Sequence, residues 1–102
     1  MARLFVDVDG TLVLDNGPNN KLISAIHIWA NGRWDDVVVW SGGWYAKHWQ
    51  EKLLPLARHS VNKVPEMLYP SDIIIDDIAD DITTRASKYT PEQFIAEFGG
   101  VR

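Results

Sequence analysis

Two carboxylates stand one residue apart in the run LFVDVDGTLVL, at Asp7 and Asp9, and two more are adjacent in IIIDD, at Asp76 and Asp77. Each pair follows directly on an apolar run. Between them lie Ser41, which ends VVVWS, and Lys63, late in SVNKV. Carboxylates brought together repel, and the pKa of at least one rises unless a cation sits among them. Oxygen ligands with no His or Cys beside them favour Mg²⁺, which commonly takes one or two carboxylates, several waters and a substrate phosphate. If these segments converge, the chemistry they fit is metal-assisted handling of a phosphoryl group.

Each signal also has an ordinary structural reading. Asp9-Gly10 between apolar runs is a β-hairpin signal, because both residues tolerate the positive φ of a type I′ turn. Ser41 reads equally well as a helix N-cap, Lys63 as a solvated charge, and acidic pairs as exposed loop residues. What separates the two readings is position. In an open parallel sheet the carboxyl ends of the strands share one edge, where ligands bind, and here every such end carries a polar residue of the required type.

The rest of the chain supplies the elements. Apolar or β-branched runs alternate with helix-like stretches, a pattern that predicts a parallel sheet with helices on its faces. NKLISAIHIWANG reads as an amphipathic helix capped by Asn19 or Asn20, with Leu22, Ile23, Ile26, Trp29 and Ala30 on its apolar side and Gly32 beyond its end. DVVVWS (Asp36 to Ser41) has the near-continuous β-branched pattern of a strand buried on both faces. A second helix is expected from Gly43, with Tyr45, Trp49, Leu53 and Leu56 at helical spacing and Pro55 ending or kinking it. SVNKV is a weaker strand candidate and SDIIIDD (Ser71 to Asp77) a stronger one. TPEQFIAEFGG places Thr90 at N-cap, Pro91 at N1, Gln93 at N3 and Gly99 after Phe98, satisfying the start and stop rules for a helix.

Bulk properties narrow the class further. A chain of 102 residues, 46% hydrophobic and 24% charged, fits one soluble globular domain spanning residues 1–102. A net charge of −4 argues against a broad phosphate-backbone footprint, although a small basic site remains compatible. The absence of cysteine excludes a disulfide framework and any thiolate metal site. The N-terminal MARLFVDVDG carries an acid at position 7 and no long apolar core, so it does not read as a signal peptide. With no long apolar run elsewhere, a cytoplasmic protein without membrane contact is the expectation.

DVDGT (Asp7 to Thr11), VVVWS ending in Ser41, Lys63, and IIIDDIADD (Ile73 to Asp81) resemble, in this order and over most of the chain, the four motifs of the haloacid dehalogenase (HAD) superfamily. The resemblance implies a three-layer Rossmann-like α/β fold with a mostly parallel central sheet. It implies a Mg²⁺-dependent phosphomonoester hydrolase working through an aspartyl-phosphate on Asp7. A carboxylate is ionised at neutral pH and needs no base to activate it as a nucleophile. Asp9 would protonate the leaving alkoxide and then deprotonate the hydrolytic water. Thr11 would orient the site, and Gly10 would allow the sharp departure of the chain.

By the same resemblance, Ser41 would hydrogen-bond a phosphoryl oxygen with help from the amides of Gly42 and Gly43 at a helix N-terminus. Lys63 would hold nucleophile and phosphate as a point charge. The metal would be held by Asp7, the Asp9 carbonyl, Asp76 and Asp77, with one of the last two acting through water. Asp80 and Asp81 are assigned to an outer layer. TLVLDNGPNN would form a small hairpin-like flap beside the site.

Many family members insert a cap domain between these motifs. Only thirty positions separate Thr11 from Ser41 (41 minus 11) and thirteen separate Lys63 from Asp76 (76 minus 63), so neither gap holds one. An open site suits a large phosphorylated substrate, with nucleotides or nucleic-acid ends favoured, or a second subunit serving as lid. Trp44 and Tyr45 could border the phosphate and stack on a base, although an aromatic pair at the start of an amphipathic helix ordinarily belongs to the core. Trp34 is a candidate exposed aromatic; His27, His48 and His59 lack ligand spacing and read as structural or surface residues.

Three other readings compete. A metal-dependent nuclease also uses clustered carboxylates, but leaves Thr11, Ser41 and Lys63 without roles. A receiver-like phosphoacceptor module combines similar residue types, with the acceptor Asp on a middle strand and the acidic pair on the first. A non-catalytic phosphate-binding domain is the fourth.

Overall fold

The computed structural model describes residues 2–43 and 45–100. Its frame is a five-stranded sheet in the order β5-β4-β1-β6-β7, in which every pairing is parallel. The strands are β1 (Leu4–Val6), β4 (Val37–Ser41), β5 (His59–Asn62), β6 (Ile73–Ile75) and β7 (Ser87–Tyr89). A separate antiparallel pair, β2 (Val13–Leu14) and β3 (Gly17–Pro18), forms the small flap after the first strand.

Burial follows from strand position. β1 and β4 lie inside the sheet and every one of their residues is buried, which is why LFV and VVVWS read as unbroken apolar or β-branched runs. The edge strands HSVN and SKY are largely exposed and polar, as edges must be if they are not to recruit further strands. For that reason β5 gives a weak signal and β7 gives none.

Two helices connect strands and a third follows β7. α1 (Asn20–Ala30) is capped by Asn19, whose Oδ1 accepts the Leu22 N–H at 3.2 Å, and it ends at Asn31 in the left-handed conformation, φ 43°. α2 (Ala46–Leu53) starts three residues later than the sequence pattern suggested. α3 (Pro91–Phe98) has both halves of its expected capping box: Thr90 Oγ1 accepts from the Gln93 N–H, and Gln93 Oε1 accepts from the Thr90 N–H.

The two faces of the sheet are covered differently. On one, Leu4, Val6, Val37, Val39 and Ile75 form a single core with buried residues of all three helices, among them Leu22, Ile26, Ala46 and Phe94. On the other, Phe5, Val38, Trp40 and Ile74 pack against Leu68, Ile82 and Ala86, which belong to the connections either side of β6. Among the described residues those connections contain only short 3₁₀ turns, Pro65–Met67 and Ala79–Asp81. Right-handed crossovers require this division, because chain segments stepping toward β5 and toward β7 must lie on opposite faces. The third layer expected from the sequence is thus present as irregular chain and not as helix: the β5–β6 and β6–β7 links are too short to carry one.

Several aromatic and apolar positions differ from the sequence expectation. Tyr45 and Leu56 are exposed, whereas Trp49 and Leu53 pack half-buried on the core as expected, beside the buried Ala46 and Gln50 of α2. Gln50 is held because its side-chain amide donates to the carbonyls of Leu54 and Ala57, closing the helix C-terminus. Trp34 is half-buried, packed on the helical core and edge-on to His27 at 4.7 Å between ring centroids. Trp44 lies outside the described residues. No described helix is long and apolar enough to cross a membrane.

Candidate metal and phosphate site

Strand order sets the position of the site. From β1 the chain crosses toward β4, whereas from β6 it crosses toward β7, so the topological switch falls between β1 and β6. Open α/β sheets bind ligands at the carboxyl ends of the strands flanking such a switch. Asp7 follows the last residue of β1, and Asp76 and Asp77 follow the last residue of β6. Register locks the two ends level, with Val6 opposite Ile75 and the Asp7 N–H donating to the Ile75 carbonyl at 3.0 Å.

One carboxylate oxygen from each of Asp7, Asp76 and Asp77 lies within 4.8 Å of the others. Lys63 crosses from the end of β5, and its Nζ donates to Asp7 Oδ1 at 2.8 Å and to Asp76 Oδ2 at 2.7 Å. The remaining oxygens are also occupied: Asp7 Oδ2 accepts from Thr11 Oγ1 at 3.2 Å, and Asp76 Oδ1 accepts from the Ile78 N–H at 3.1 Å. Two buried carboxylates are therefore held in fixed orientations. Asp77 is exposed and its carboxylate lies against those of Asp76 and Asp7, the disposition of a ligand that faces solvent.

Electrostatics in the cluster run in opposite directions. Burial pushes the Asp7 carboxyl above its ordinary value, an effect the Lys63 hydrogen bond only partly offsets, and the neighbouring Asp76 adds to it. Burial raises Asp77 as well, reinforced by its contact with Asp76. For Lys63 burial works toward a lower value, but the hydrogen bonds and charges of Asp7 and Asp76 outweigh it and the ammonium is held above its ordinary range. Three carboxylates and one ammonium sum to a formal −2 when all are ionised (−3 plus +1). A divalent cation matches that charge, and the donor set is all oxygen, so the three acids could hold a hard divalent metal ion.

The turn after β1 resolves the double reading of Asp9-Gly10. The Thr11 N–H donates to the Val8 carbonyl at 3.2 Å across Asp9 and Gly10, so a tight turn is indeed present. Only Gly10 takes positive φ, at 77°, which is the value of the third residue of a type II turn and not the paired positive φ of type I′. A Cβ on Gly10 would come within 2.4 Å of Asp77 Oδ2, so glycine is needed both for its conformation and for the approach of the β6 end. The hairpin proper is the β2–β3 flap, whose loop at Asp15-Asn16 lies six positions further on (15 minus 9). Turn and acidic site are one structure.

Asp9 is exposed, and its carboxylate stands outside the three-acid cluster, toward solvent. Ser41 is buried at the end of β4, next to β1, and its Oγ accepts the Gly43 N–H at 3.1 Å. Because α2 begins at Ala46, Gly42 and Gly43 precede the helix instead of forming its first turn, and the Gly43 amide is already engaged. Both glycines nonetheless line a cleft of about 590 Å³ with Asn62 and Lys63. Asp80 and Asp81 are exposed on a 3₁₀ turn and lie outside the acid cluster.

Two contributors escaped the sequence reading. Asn62 lines the cleft, but nothing in HSVN marks it. Asn19 is buried and donates from Nδ2 to the Thr11 carbonyl at 3.1 Å while capping α1, so it ties the flap and the helix to the turn that carries Asp9. The helix cap was legible, the second bond was not. Comparison of the chain with protein-family models, with curated proteins and with solved structures finds no match in any of the three.

Proposed function

We propose that this chain is a Mg²⁺-dependent phosphomonoester hydrolase of the haloacid dehalogenase type, without a cap domain, acting through an aspartyl-phosphate on Asp7. The observation that carries the reading is the double ion pair of Lys63 with Asp7 and Asp76, which gathers the ends of β5, β1 and β6 around one cluster of carboxylates. Asp7, Asp76 and Asp77, with the Asp9 carbonyl, would hold Mg²⁺. When bound, the ion would supply charge neutralisation for the phosphoryl oxygens and for the crowded carboxylates.

Thr11 and Lys63 fix the Asp7 carboxylate from two sides, which orients one oxygen for attack. In the first step an Asp7 oxygen forms a bond to phosphorus as the bond to the ester oxygen breaks, and Asp9 gives that oxygen its proton. In the second step water attacks the same phosphorus, Asp9 takes the water's proton, and the bond to Asp7 breaks to release inorganic phosphate. Ser41, Gly42, Gly43 and Lys63 contact the phosphoryl oxygens from the cleft side.

Hydrolysis of p-nitrophenyl phosphate with and without Mg²⁺ tests the reaction, and Asp7→Asn tests the nucleophile. Metal-dependent turnover lost in Asp7→Asn is expected, as is beryllium fluoride trapped on Asp7. Cleavage of phosphodiesters with no such trapping would replace the proposal by nuclease chemistry. Stable phosphorylation of Asp7 without release would make the chain a phosphoacceptor module.

A further inference from the structure

A second cavity, of about 380 Å³, lies on the helix-free face of the sheet and shares Asn62 with the phosphate cleft. Its floor is Phe5 and Trp40, and its wall is Val64, Met67 and Tyr69 from the link between β5 and β6. Asn62 pairs with Ser41 at the carboxyl end of the sheet, whereas Arg3 at the far end of the groove precedes Leu4, which pairs with Val37. Five residue levels at about 3.3 Å each make the groove roughly 16 Å long, measured down the sheet from the phosphate cleft.

The far end is a fixed aromatic platform. The Arg3 guanidinium lies between two rings, 5.0 Å from the Phe5 centroid and 5.1 Å from that of Tyr69. Asp72 clamps it by accepting from Nε at 2.9 Å and Nη2 at 2.7 Å, and accepts the Tyr69 N–H at 2.7 Å as well. Tyr69 is thus locked in place yet 63% exposed, and Met67 beside it is 72% exposed. An apolar surface immobilised in this way suits stacking, since little side-chain entropy is lost when a ring settles on it. The indole N–H of Trp40 is the one buried side-chain polar group among the described residues without a hydrogen-bond partner.

We infer that this groove is the leaving-group subsite, and that the phosphomonoester it selects is a nucleotide whose base lies against Met67 and Tyr69 while its phosphate occupies the cleft at Lys63. The assignment rests on the phosphatase reading for the position of the phosphate. What names the occupant is position: Asn62 lines both the groove and the phosphate cleft, so the groove lies beside whatever the phosphate is attached to. A groove of this length and ring content exceeds the needs of a small sugar phosphate.

Titration calorimetry in Mg²⁺ on the Asp7→Asn chain, which cannot turn substrate over, tests it with adenosine 5′-monophosphate against glycerol 3-phosphate. A 5′-phosphorylated dinucleotide serves as the longer probe. The nucleotides are expected to bind about tenfold or more tightly than glycerol 3-phosphate. Adding Tyr69→Ala or Met67→Ser should remove most of that ratio, and Tyr69→Phe should keep it. In the otherwise native chain, the ratio of kcat/KM for nucleotide over glycerol 3-phosphate should fall in parallel. Equal binding of the two phosphates, or nucleotide binding unaltered by both groove substitutions, overturns the subsite even if phosphomonoesters are hydrolysed. Tyr69-dependent nucleotide binding with no hydrolysis of any phosphomonoester would instead sustain the groove and remove the phosphatase reading.

Discussion

The backbone N–H of Asp77 donates to Thr11 Oγ1 at 3.0 Å, joining two residues 66 positions apart in the chain. The same hydroxyl donates to Asp7 Oδ2, so one buried threonine fixes both the proposed nucleophile and the segment carrying the last acid. Backbone pairing between β1 and β6 reaches only as far as the Asp7 N–H on the Ile75 carbonyl, short of the Asp7 carboxylate and of Asp77.

Thr11→Val keeps the shape and removes both bonds. It leaves a buried N–H and one carboxylate oxygen without partners, so unfolding free energy should fall by about 1–3 kcal/mol. Thr11→Ser should restore most of it. Denaturant midpoints at constant slope check the first effect, and phosphatase rates the accompanying loss of activity.

Lys63→Met leaves Asp7 and Asp76 buried without their cation. Breaking a buried pair from one side costs about 3–5 kcal/mol, toward the lower end here because Lys63 is 20% exposed. Added Mg²⁺ should raise the melting temperature of this variant more than that of the parent chain. In a chain lacking Asp76 as well, that gain should vanish. Calorimetric scans across a metal titration provide the measurement.

Gly10→Ala forces a side chain into positive φ and against Asp77. A conformational cost of about 1–2 kcal/mol is expected from the backbone alone. Displacing Asp77 should in addition weaken Mg²⁺ binding, read by calorimetry on the folded variant. Gly17, also at positive φ but with nothing within 4 Å of its Cβ position, is the control: Gly17→Ala should lose stability and keep metal affinity.

Acid stability should depend on the opposite end of the sheet. Burial alone would raise Asp72, but the Arg3 guanidinium and the backbone N–H of Tyr69 hold it below the ordinary aspartate value. A carboxylate lowered in the folded state stabilises fully above its unfolded pKa of about 3.9, and that stabilisation is lost as pH falls through the lower folded value. Asp72→Asn should therefore be less stable than the parent at pH 7, with the gap closing as the pH approaches 2. Urea melts at several pH values test this.

Local sequence carried the elements with strong local causes. The apolar or β-branched runs of β1, β4 and β6 must be interior strands, because an unbroken apolar run is stable only where both faces are covered. Asn19 and the Thr90–Gln93 box fix where α1 and α3 begin, since the hydrogen bonds that define those caps are made within three residues. Asp7 and the Asp76–Asp77 pair are legible because they follow directly on such strands, and Thr11 because it closes the DVDGT motif.

Other features depend on neighbours distant in sequence, and only the tertiary structure decided them. The edge strand Ser87–Tyr89 owes its conformation to pairing with β6, as its own residues favour none. Lys63 reads as a surface charge until β5 is placed two strands from β1, where its side chain meets two carboxylates. Tyr45 is exposed because α2 starts only after it, and Gln50 is buried because its amide meets the carbonyls of Leu54 and Ala57 at the helix end. The apolar groove below Asn62 exists because the links flanking β6 are too short to form helices. Local hydrogen bonding and hydrophobic periodicity act over a few residues and are written in the chain directly, whereas convergence at a sheet edge is a property of strand order.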